Sequence, residues 1–232
     1  MRVLEWVEEG QRRLQQAVDA LPLDAVAEPS ALPGWTRGHL LTHLARNADA
    51  LVNLLNWART GIRTPMYASP EQRGADIEAG ARRPLAEQRA DVRESAARFR
   101  KAAEALSDDA WSATVVSGQG REIPAAEVPW LRAREVWIHL VDLDVGVGMD
   151  ALPSDLAWAL VRDVAGWMSS RVEAGTGAEL SAEGHSTVVL GSLPAGVTVS
   201  GPPYALAAWL TGRGGAEGMQ VVGELRTIPR WL

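Results

Sequence analysis

Two pairs of residues with metal-binding side chains have a spacing that places each pair on one face of a helix. His39 and His43 are four residues apart, and so are Glu135 and His139. Residues four apart share a helix face, so either pair could bind a single metal ion. The residues around each pair decide which of them is suited to that role.

The neighbours of the two N-terminal histidines favour His43 as the interior ligand. At about 100° per residue, His43 lies at the edge of an apolar arc, beside Asn47. His39 lies roughly 40° further toward the polar side, which favours a surface or helix-capping role. The apolar arc consists of Leu40, Leu44, Ala48, Leu51, Leu54 and Leu55.

Glu135, His139 and Asp142 form a narrow polar stripe on a helix that is otherwise apolar. A carboxylate and an imidazole are costly to bury unless they are paired or bound to a metal. Two interpretations follow: a hydrogen-bonded Glu–His pair inside a helical bundle, or a metal site built from His43, Glu135 and His139. The apolar residues are Val136, Trp137, Ile138, Leu140, Val141, Leu143 and Val145.

Two histidines and one carboxylate suit a catalytic zinc ion with its fourth position left open. Non-haem iron uses the same residue types, so the ligand set alone leaves the metal undecided. Asp142 either orients a ligand or is an acid on the helix surface. Trp137 could line a pocket beside Glu135. The sequence has neither a phosphate-binding glycine loop nor a Gly-x-Ser-x-Gly nucleophile motif.

The first two thirds of the chain is predicted to be helical and would position these residues. The lengths and short connections of the predicted helices are typical of an up-down bundle. Capping residues predict several of the helix starts, among them Thr36 and Ser69. The predicted helices cover residues 1–21, 36–59, 69–80, 84–106 and 127–145, with a loop at 107–124.

The last third of the chain mixes helices with short strands. We predict a helix from Pro153 to about Glu173 and a helix at 204–210. Short β-branched runs separated by Gly and Pro predict strands at 187–190, 197–199 and 219–222. The sequence therefore predicts a two-domain α+β protein, with a helical domain at 1–150 and a small α+β domain at 151–232.

Composition excludes several classes of function. The 232 residues carry a net charge of −6, which disfavours sequence-independent nucleic-acid binding. The absence of cysteine excludes disulfides, an all-thiolate zinc site and a cysteine nucleophile. No apolar run approaches the roughly 20 residues of a membrane span, and the first residues do not form a signal peptide. We therefore expect a soluble cytoplasmic protein.

Three stretches carry a resemblance to the mycothiol-dependent maleylpyruvate isomerase family. Residues 32–49, LPGWTRGHLLTHLARNAD, resemble the family's first signature, and residues 134–143, REVWIHLVDL, resemble its second metal motif. Segments in residues 199–213 resemble its small sterol-carrier-like domain. Related DinB-like bundles often carry three histidine ligands; here Glu135 replaces one of them, which is the isomerase pattern.

The resemblance implies a DinB-like four-helix bundle that holds zinc through His43, Glu135 and His139. It implies mycothiol as the thiol cofactor and conversion of maleylpyruvate to fumarylpyruvate, a cis–trans isomerisation in gentisate breakdown. The implied chemistry is thiolate addition to the conjugated double bond, rotation about the resulting single bond, and elimination. The expected partners are a small diacid and mycothiol, with no nucleic acid and no membrane, and the chain is expected to be a monomer or weak oligomer.

The resemblance also singles out two arginines. Arg213, in Thr-Gly-Arg, matches a position that contacts the diacid substrate or the thiol, and Arg73 resembles another. Without the resemblance, each would be interpreted as a solvated surface residue, since the chain has 23 basic residues. A guanidinium binds a carboxylate through two parallel hydrogen bonds, so the two arginines could hold the two ends of a diacid.

Three other functions remain open from the residues alone. A mycothiol-dependent S-transferase would use the same site and release an adduct. A metal-dependent hydrolase would use the open metal position to activate water. A non-catalytic binding bundle would hold the metal in a closed coordination shell.

Overall fold

The computed structural model describes residues 2–172, 177–192, 196–224 and 231. The chain divides into two compact units, Met1–Gly146 and Val147–Leu232. The first unit is mainly helical, and the second combines helices with a small sheet. The predicted fold class, a helical N-terminal domain followed by a small α+β domain, is confirmed.

Four long helices of the first unit form a bundle. In this bundle α1 packs against α4 and α6, and α2 packs against the same two helices from the opposite side. The shorter α3 lies along α2. The helices are α1 (Arg2–Asp19), α2 (Arg37–Thr60), α3 (Pro70–Ala81), α4 (Leu85–Glu104), α5 (Asp108–Trp111) and α6 (Val128–Asp142).

Local capping explains where the site-bearing helices begin and end. Thr36 caps α2 by accepting the backbone N–H of His39, and Ser69 caps α3 by accepting the N–H of Gln72. Both predicted starts are confirmed. Helix α6 ends at Asp142, earlier than the predicted 145, because Asp144 adopts a left-handed conformation with φ of 56°.

Two glycines bring α3 directly onto α2. A Cβ atom on Gly38 would overlap the backbone carbonyl of Ala81, and one on Gly80 would overlap the side chain of Thr42. Because neither glycine has a side chain, the backbone of α2 approaches that of α3 at Gly38, and the side chain of Thr42 packs directly on the backbone of α3 at Gly80. The position of α3 therefore depends on close contact at both glycines.

The prediction of a loop at 107–124 is wrong. This segment contains α5 and an antiparallel hairpin of β1 (Thr114–Val116) and β2 (Glu122–Pro124). Val115 and Ile123 face each other across the hairpin and are buried in the bundle core. Each strand has only three residues, so the hairpin depends on this burial and gives little periodic signal in the sequence.

The second unit contains helices α7 (Ser154–Ser169) and α8 (Pro203–Thr211), which pack together, and a four-stranded sheet. The sheet order is β4-β3-β5-β6, with β3 and β5 parallel and the outer pairs antiparallel. The strands are β3 (Gly177–Ser181), β4 (Val188–Gly191), β5 (Thr198–Ser200) and β6 (Gln220–Val222).

Most elements predicted for the second unit are present within one or two residues of the expected positions. The exceptions are β3, which was not predicted, and the end of α7. Helix α7 ends at Ser169, before the expected position near Glu173, and Glu173 itself lies outside the described residues. No helix within the described ranges combines the length and the apolar character needed to cross a membrane.

Candidate metal centre

Helices α2 and α6 bring His43, Glu135 and His139 together. Nε2 of His43 lies 2.8 Å from Oε2 of Glu135, and Nε2 of His139 lies 3.2 Å from the same oxygen. The three potential ligand atoms all lie within 4.8 Å of one another. Residues 92 positions apart in the chain thus converge because two buried helix faces meet.

The geometry of this cluster fits a divalent metal ion. Donor atoms bound to one zinc ion at its usual distances lie about 3 to 4 Å apart in a tetrahedral arrangement. The two imidazole nitrogens and the carboxylate oxygen are close to that spacing. Three such ligands leave one tetrahedral position for a further ligand, and they suit zinc or non-haem iron equally well.

Asp142 orients one member of the cluster, His139. Nδ1–H of His139 donates a hydrogen bond to Oδ2 of Asp142 at 2.8 Å, and Asp142 is only 1% exposed. A carboxylate on Nδ1 fixes the imidazole tautomer and points Nε2 at the metal position. Of the two roles considered for Asp142, ligand orientation therefore agrees with the structure, and the surface acid is excluded.

The electrostatics of the cluster favour an ionised Glu135. Burial opposes the charged carboxylate, but hydrogen bonds from His139 and His43 outweigh it and hold the pKa of Glu135 well below its usual value. Burial also opposes charge on His139, yet hydrogen bonds to Asp142 and Glu135 raise its pKa. At His43 burial prevails over the bond to Glu135 and lowers the pKa. The carboxylate is thus anionic at neutral pH, as a metal ligand must be.

The two predicted arginines lie in different units. Arg73, on α3, places Nη2 3.2 Å from Nδ1 of His43, so it stands directly beside the cluster. Arg213 follows the C-terminus of α8, where its Nη1 donates to the carbonyl of Thr211 at 2.9 Å and its guanidinium lies over the ring of Trp231. The anion-binding role of Arg213 stays a prediction.

His39 is a capping residue, as its position on the helix predicts. Its Nδ1 accepts the backbone N–H of Thr36 at 3.1 Å and lies 2.7 Å from the hydroxyl of the same residue. Its Nε2 faces Glu78 at 3.4 Å. His39 thus belongs to the start of α2, while His43, one turn later, faces α6.

Trp35 and Trp137 differ in their relation to the cluster. The ring of Trp35 is partly exposed and meets the ring of His43 edge-on, with 5.6 Å between centroids. Trp137 is fully buried, and its Nε1 donates to the backbone carbonyl of Trp6 on α1 at 2.8 Å. Trp137 therefore packs toward α1 and does not form a wall beside Glu135.

Three further residues near the cluster, Arg132, Asn47 and Tyr67, were not predicted as site residues. Arg132 is buried, and its Nη1 donates to Oδ1 of Asn47 at 3.0 Å. Burial lowers the pKa of Arg132 to about 10, which still leaves it charged at neutral pH. Tyr67 makes polar contacts with Arg73 and Asn47, and the guanidinium carbon of Arg73 lies 5.7 Å from the centre of its ring. Arg132 lies three residues before Glu135, and a charged residue on an apolar helix is a sequence signal that could have indicated it. The sequence around Tyr67 contains no such signal.

Comparisons with known proteins point to one family. Residues 7–144 match the family model described as the mycothiol maleylpyruvate isomerase N-terminal domain. Two crystal structures are similar at 35% identity, covering 99% of this chain and 96% of theirs. One is the mycothiol-dependent maleylpyruvate isomerase, with a TM-score of 0.88, and the other is a histidine-to-alanine mutant of that name, at 0.87.

A search of curated proteins finds no match. The family model nevertheless covers more than half of the chain, and the similarity to the two solved structures extends over nearly all of it. The chain belongs to the mycothiol-dependent maleylpyruvate isomerase family.

Proposed function

We propose that this protein is a zinc- and mycothiol-dependent isomerase that converts maleylpyruvate to fumarylpyruvate by reversible addition of sulfur to the double bond. The observation that carries the proposal is the convergence of His43, Glu135 and His139, with Arg73 beside them. The 35% identity over 99% of the chain to structures named for this activity supports it further. The corresponding place in metabolism is gentisate breakdown.

His43, Glu135 and His139 are the proposed metal ligands, with Asp142 orienting His139. When bound, the metal supplies a Lewis acid that favours the thiolate form of mycothiol, which supplies the nucleophile. The chain has no cysteine, so it has no thiol of its own that could attack the substrate or compete for the metal. This composition agrees with a reaction in which a diffusible cofactor provides the sulfur.

Arg73 is the proposed contact for one carboxylate of the diacid. Its guanidinium is partly buried and lies next to a proposed metal ligand, so a carboxylate bound there is held close to the metal position. Planar guanidinium groups bind carboxylates with two parallel hydrogen bonds, which fixes orientation as well as position. Arg213 is proposed as a second anion-binding residue, for substrate or for mycothiol.

The test is turnover of maleylpyruvate by zinc-loaded protein with and without mycothiol, with the products followed by NMR. We expect fumarylpyruvate to form only when the thiol is present, and the thiol to be recovered unchanged. Glutathione in place of mycothiol is the matched control for a general thiol effect. Turnover without thiol would identify a hydrolase, and consumption of the thiol into a stable adduct would identify an S-transferase.

A further inference from the structure

A chain of polar contacts joins the bundle interior to the candidate metal centre. It begins at the buried Arg132, which donates to Oδ1 of Asn47. Asn47 and Arg73 both make polar contacts with the phenol of Tyr67. Arg73 also reaches Nδ1 of His43 at 3.2 Å. Tyr67 is therefore the middle member of a chain that ends on a proposed metal ligand.

The phenol of Tyr67 lies beside two polar side chains, Arg73 and Asn47. Arg73 has only donors to offer, so the phenol oxygen is the acceptor in any hydrogen bond between the two. The guanidinium carbon of Arg73 also lies 5.7 Å from the centre of the Tyr67 ring. These contacts place Tyr67 beside the guanidinium that is proposed to hold the substrate.

The hydroxyl of Tyr67 is placed to meet a ligand. Its side chain is only partly buried and lies beside Arg73, the proposed carboxylate contact. Burial raises the pKa of Tyr67, against the opposing pull of Arg73, so the phenol keeps its proton at neutral pH. A neutral O–H group beside Arg73, which itself contacts a proposed metal ligand, is suited to donate a hydrogen bond to an oxygen on which negative charge develops.

We propose that Tyr67 is a catalytic residue that donates a hydrogen bond to the substrate's conjugated carbonyl oxygen while that oxygen carries negative charge. This inference rests on the proposed isomerase function. As the carbon–sulfur bond forms, the electron pair of the double bond moves toward the carbonyl oxygen, and Tyr67 stabilises the resulting enolate without giving up its proton. After rotation the pair returns, the carbon–sulfur bond breaks, and no proton is gained or lost.

In this mechanism the two polar residues Arg73 and Tyr67 have different roles. Arg73 holds a carboxylate, which is charged before, during and after the reaction, so its contact is of similar strength throughout. Tyr67 meets an oxygen that is neutral in the substrate and anionic in the intermediate, so its contact strengthens as the reaction proceeds. Contacts of the second kind raise kcat, whereas contacts of the first kind act mainly on KM.

The test is Tyr67→Phe, which removes the hydroxyl and keeps the ring. We expect kcat to fall on the order of 10²-fold with little change in KM, and zinc content and thermal unfolding midpoint to match the wild type. Tyr204→Phe is the matched control, because Tyr204 is the second of the two tyrosines and is 41% exposed on α8. We expect this control to keep full activity.

Ligand affinity separates a catalytic role from a structural one. Tyr67→Phe should bind a stable enol mimic of the intermediate at least tenfold more weakly, and bind the saturated keto diacid as the wild type does. Wild-type protein labelled with fluorotyrosine gives a measurement that needs no variant. Of its two fluorine signals, the one from Tyr67 should shift when the enol mimic binds, and the one from Tyr204 should not.

Several results would overturn the proposal for Tyr67. They are a kcat within about threefold of wild type in Tyr67→Phe, a loss of zinc in that variant, and a Tyr67 fluorine signal unmoved by the enol mimic. Failure of the proposed function has a different signature, since wild-type protein would then show no thiol-dependent isomerisation. In that case the fluorine measurement still decides whether Tyr67 binds an anionic oxygen.

Discussion

The two sides of α2 use polar residues in opposite ways. Toward α4 the helix presents Arg46 and Asp49, which pair across the surface: Arg46 with Asp91 at 2.5 Å, and Asp49 with Arg98 at 2.8 Å. The exposed fractions of these four side chains run from 14% to 46%. Every one of these charges has an opposite partner, and water reaches all of them.

Toward α6 the same helix presents His43 and Asn47, which are 5% and 4% exposed. There they meet Glu135 and Arg132, whose guanidinium is buried against the backbone carbonyl of Leu44 and the side chain of Asn47. Burial of this kind costs stability, while surface ion pairs contribute about 0 to 1 kcal/mol each. The α6 side of α2 is therefore suited to chemistry, and the α4 side contributes modestly to stability and solubility.

The largest effect, on zinc content and activity, should come from His43, the proposed ligand on the α6 side of α2. We expect His43→Ala to lose bound zinc and, with it, at least 10²-fold of the activity, because two remaining ligands do not hold the metal. His39→Ala, one turn earlier, is the matched control and should keep both zinc and activity. Zinc content by elemental analysis and turnover together check this. Zinc loss in His39→Ala with retention in His43→Ala would refute the ligand assignment.

An intermediate effect, on zinc affinity, is expected from Asp142, which orients the proposed ligand His139. Asp142→Asn removes the charge that orients His139, so zinc affinity should fall about 10- to 100-fold while the fold is retained. Competition with a chelator measures the affinity. Asp91→Asn on the opposite side of α2 is the control and should bind zinc as the wild type does. Equal affinities in the two variants would remove the functional distinction between the two sides.

The smallest effect, on the free energy of unfolding, should come from the ion pairs on the α4 side of α2. Asp91 joins Arg46 to Arg83, at 2.5 and 2.7 Å, so Asp91→Asn should lower the free energy of unfolding by about 1 kcal/mol. The difference from wild type should shrink in roughly 1 M salt, which screens partly exposed charges. Denaturant unfolding at low and high salt measures both. A loss several times larger, or one independent of salt, would mean that this network stabilises the protein like a buried one.

The convergence of His43, Glu135 and His139 was predictable because the residues that indicate it lie within two helices. His43 and the pair Glu135 and His139 each stand out against an apolar helix face, and strong capping residues such as Thr36 mark where α2 begins. Hydrophobic periodicity then determines which side of each helix is buried. That two such faces meet follows from packing in a bundle.

Other features depend on contacts that the local sequence does not encode. Strand β3 reads Gly-Ala-Glu-Leu-Ser, a weak strand former, and it is held by β4 on one side and β5 on the other. Tyr67 lies in an irregular stretch anchored by Asn53, whose Nδ2 donates to the carbonyls of Pro65 and Met66 at 3.3 Å. No periodicity marks such a residue, so its place beside Arg73 emerges only in three dimensions.

Under the proposed function, the glycine contacts between α2 and α3 also bear on substrate specificity. Arg73 belongs to α3 and His43 to α2, so the close approach of the two helices at Gly38 and Gly80 contributes to the distance between the guanidinium and His43. A methyl group at either glycine would push α3 outward and widen that gap. Evolution could therefore shift the preferred chain length of the diacid with one glycine-to-alanine exchange, leaving every polar residue unchanged.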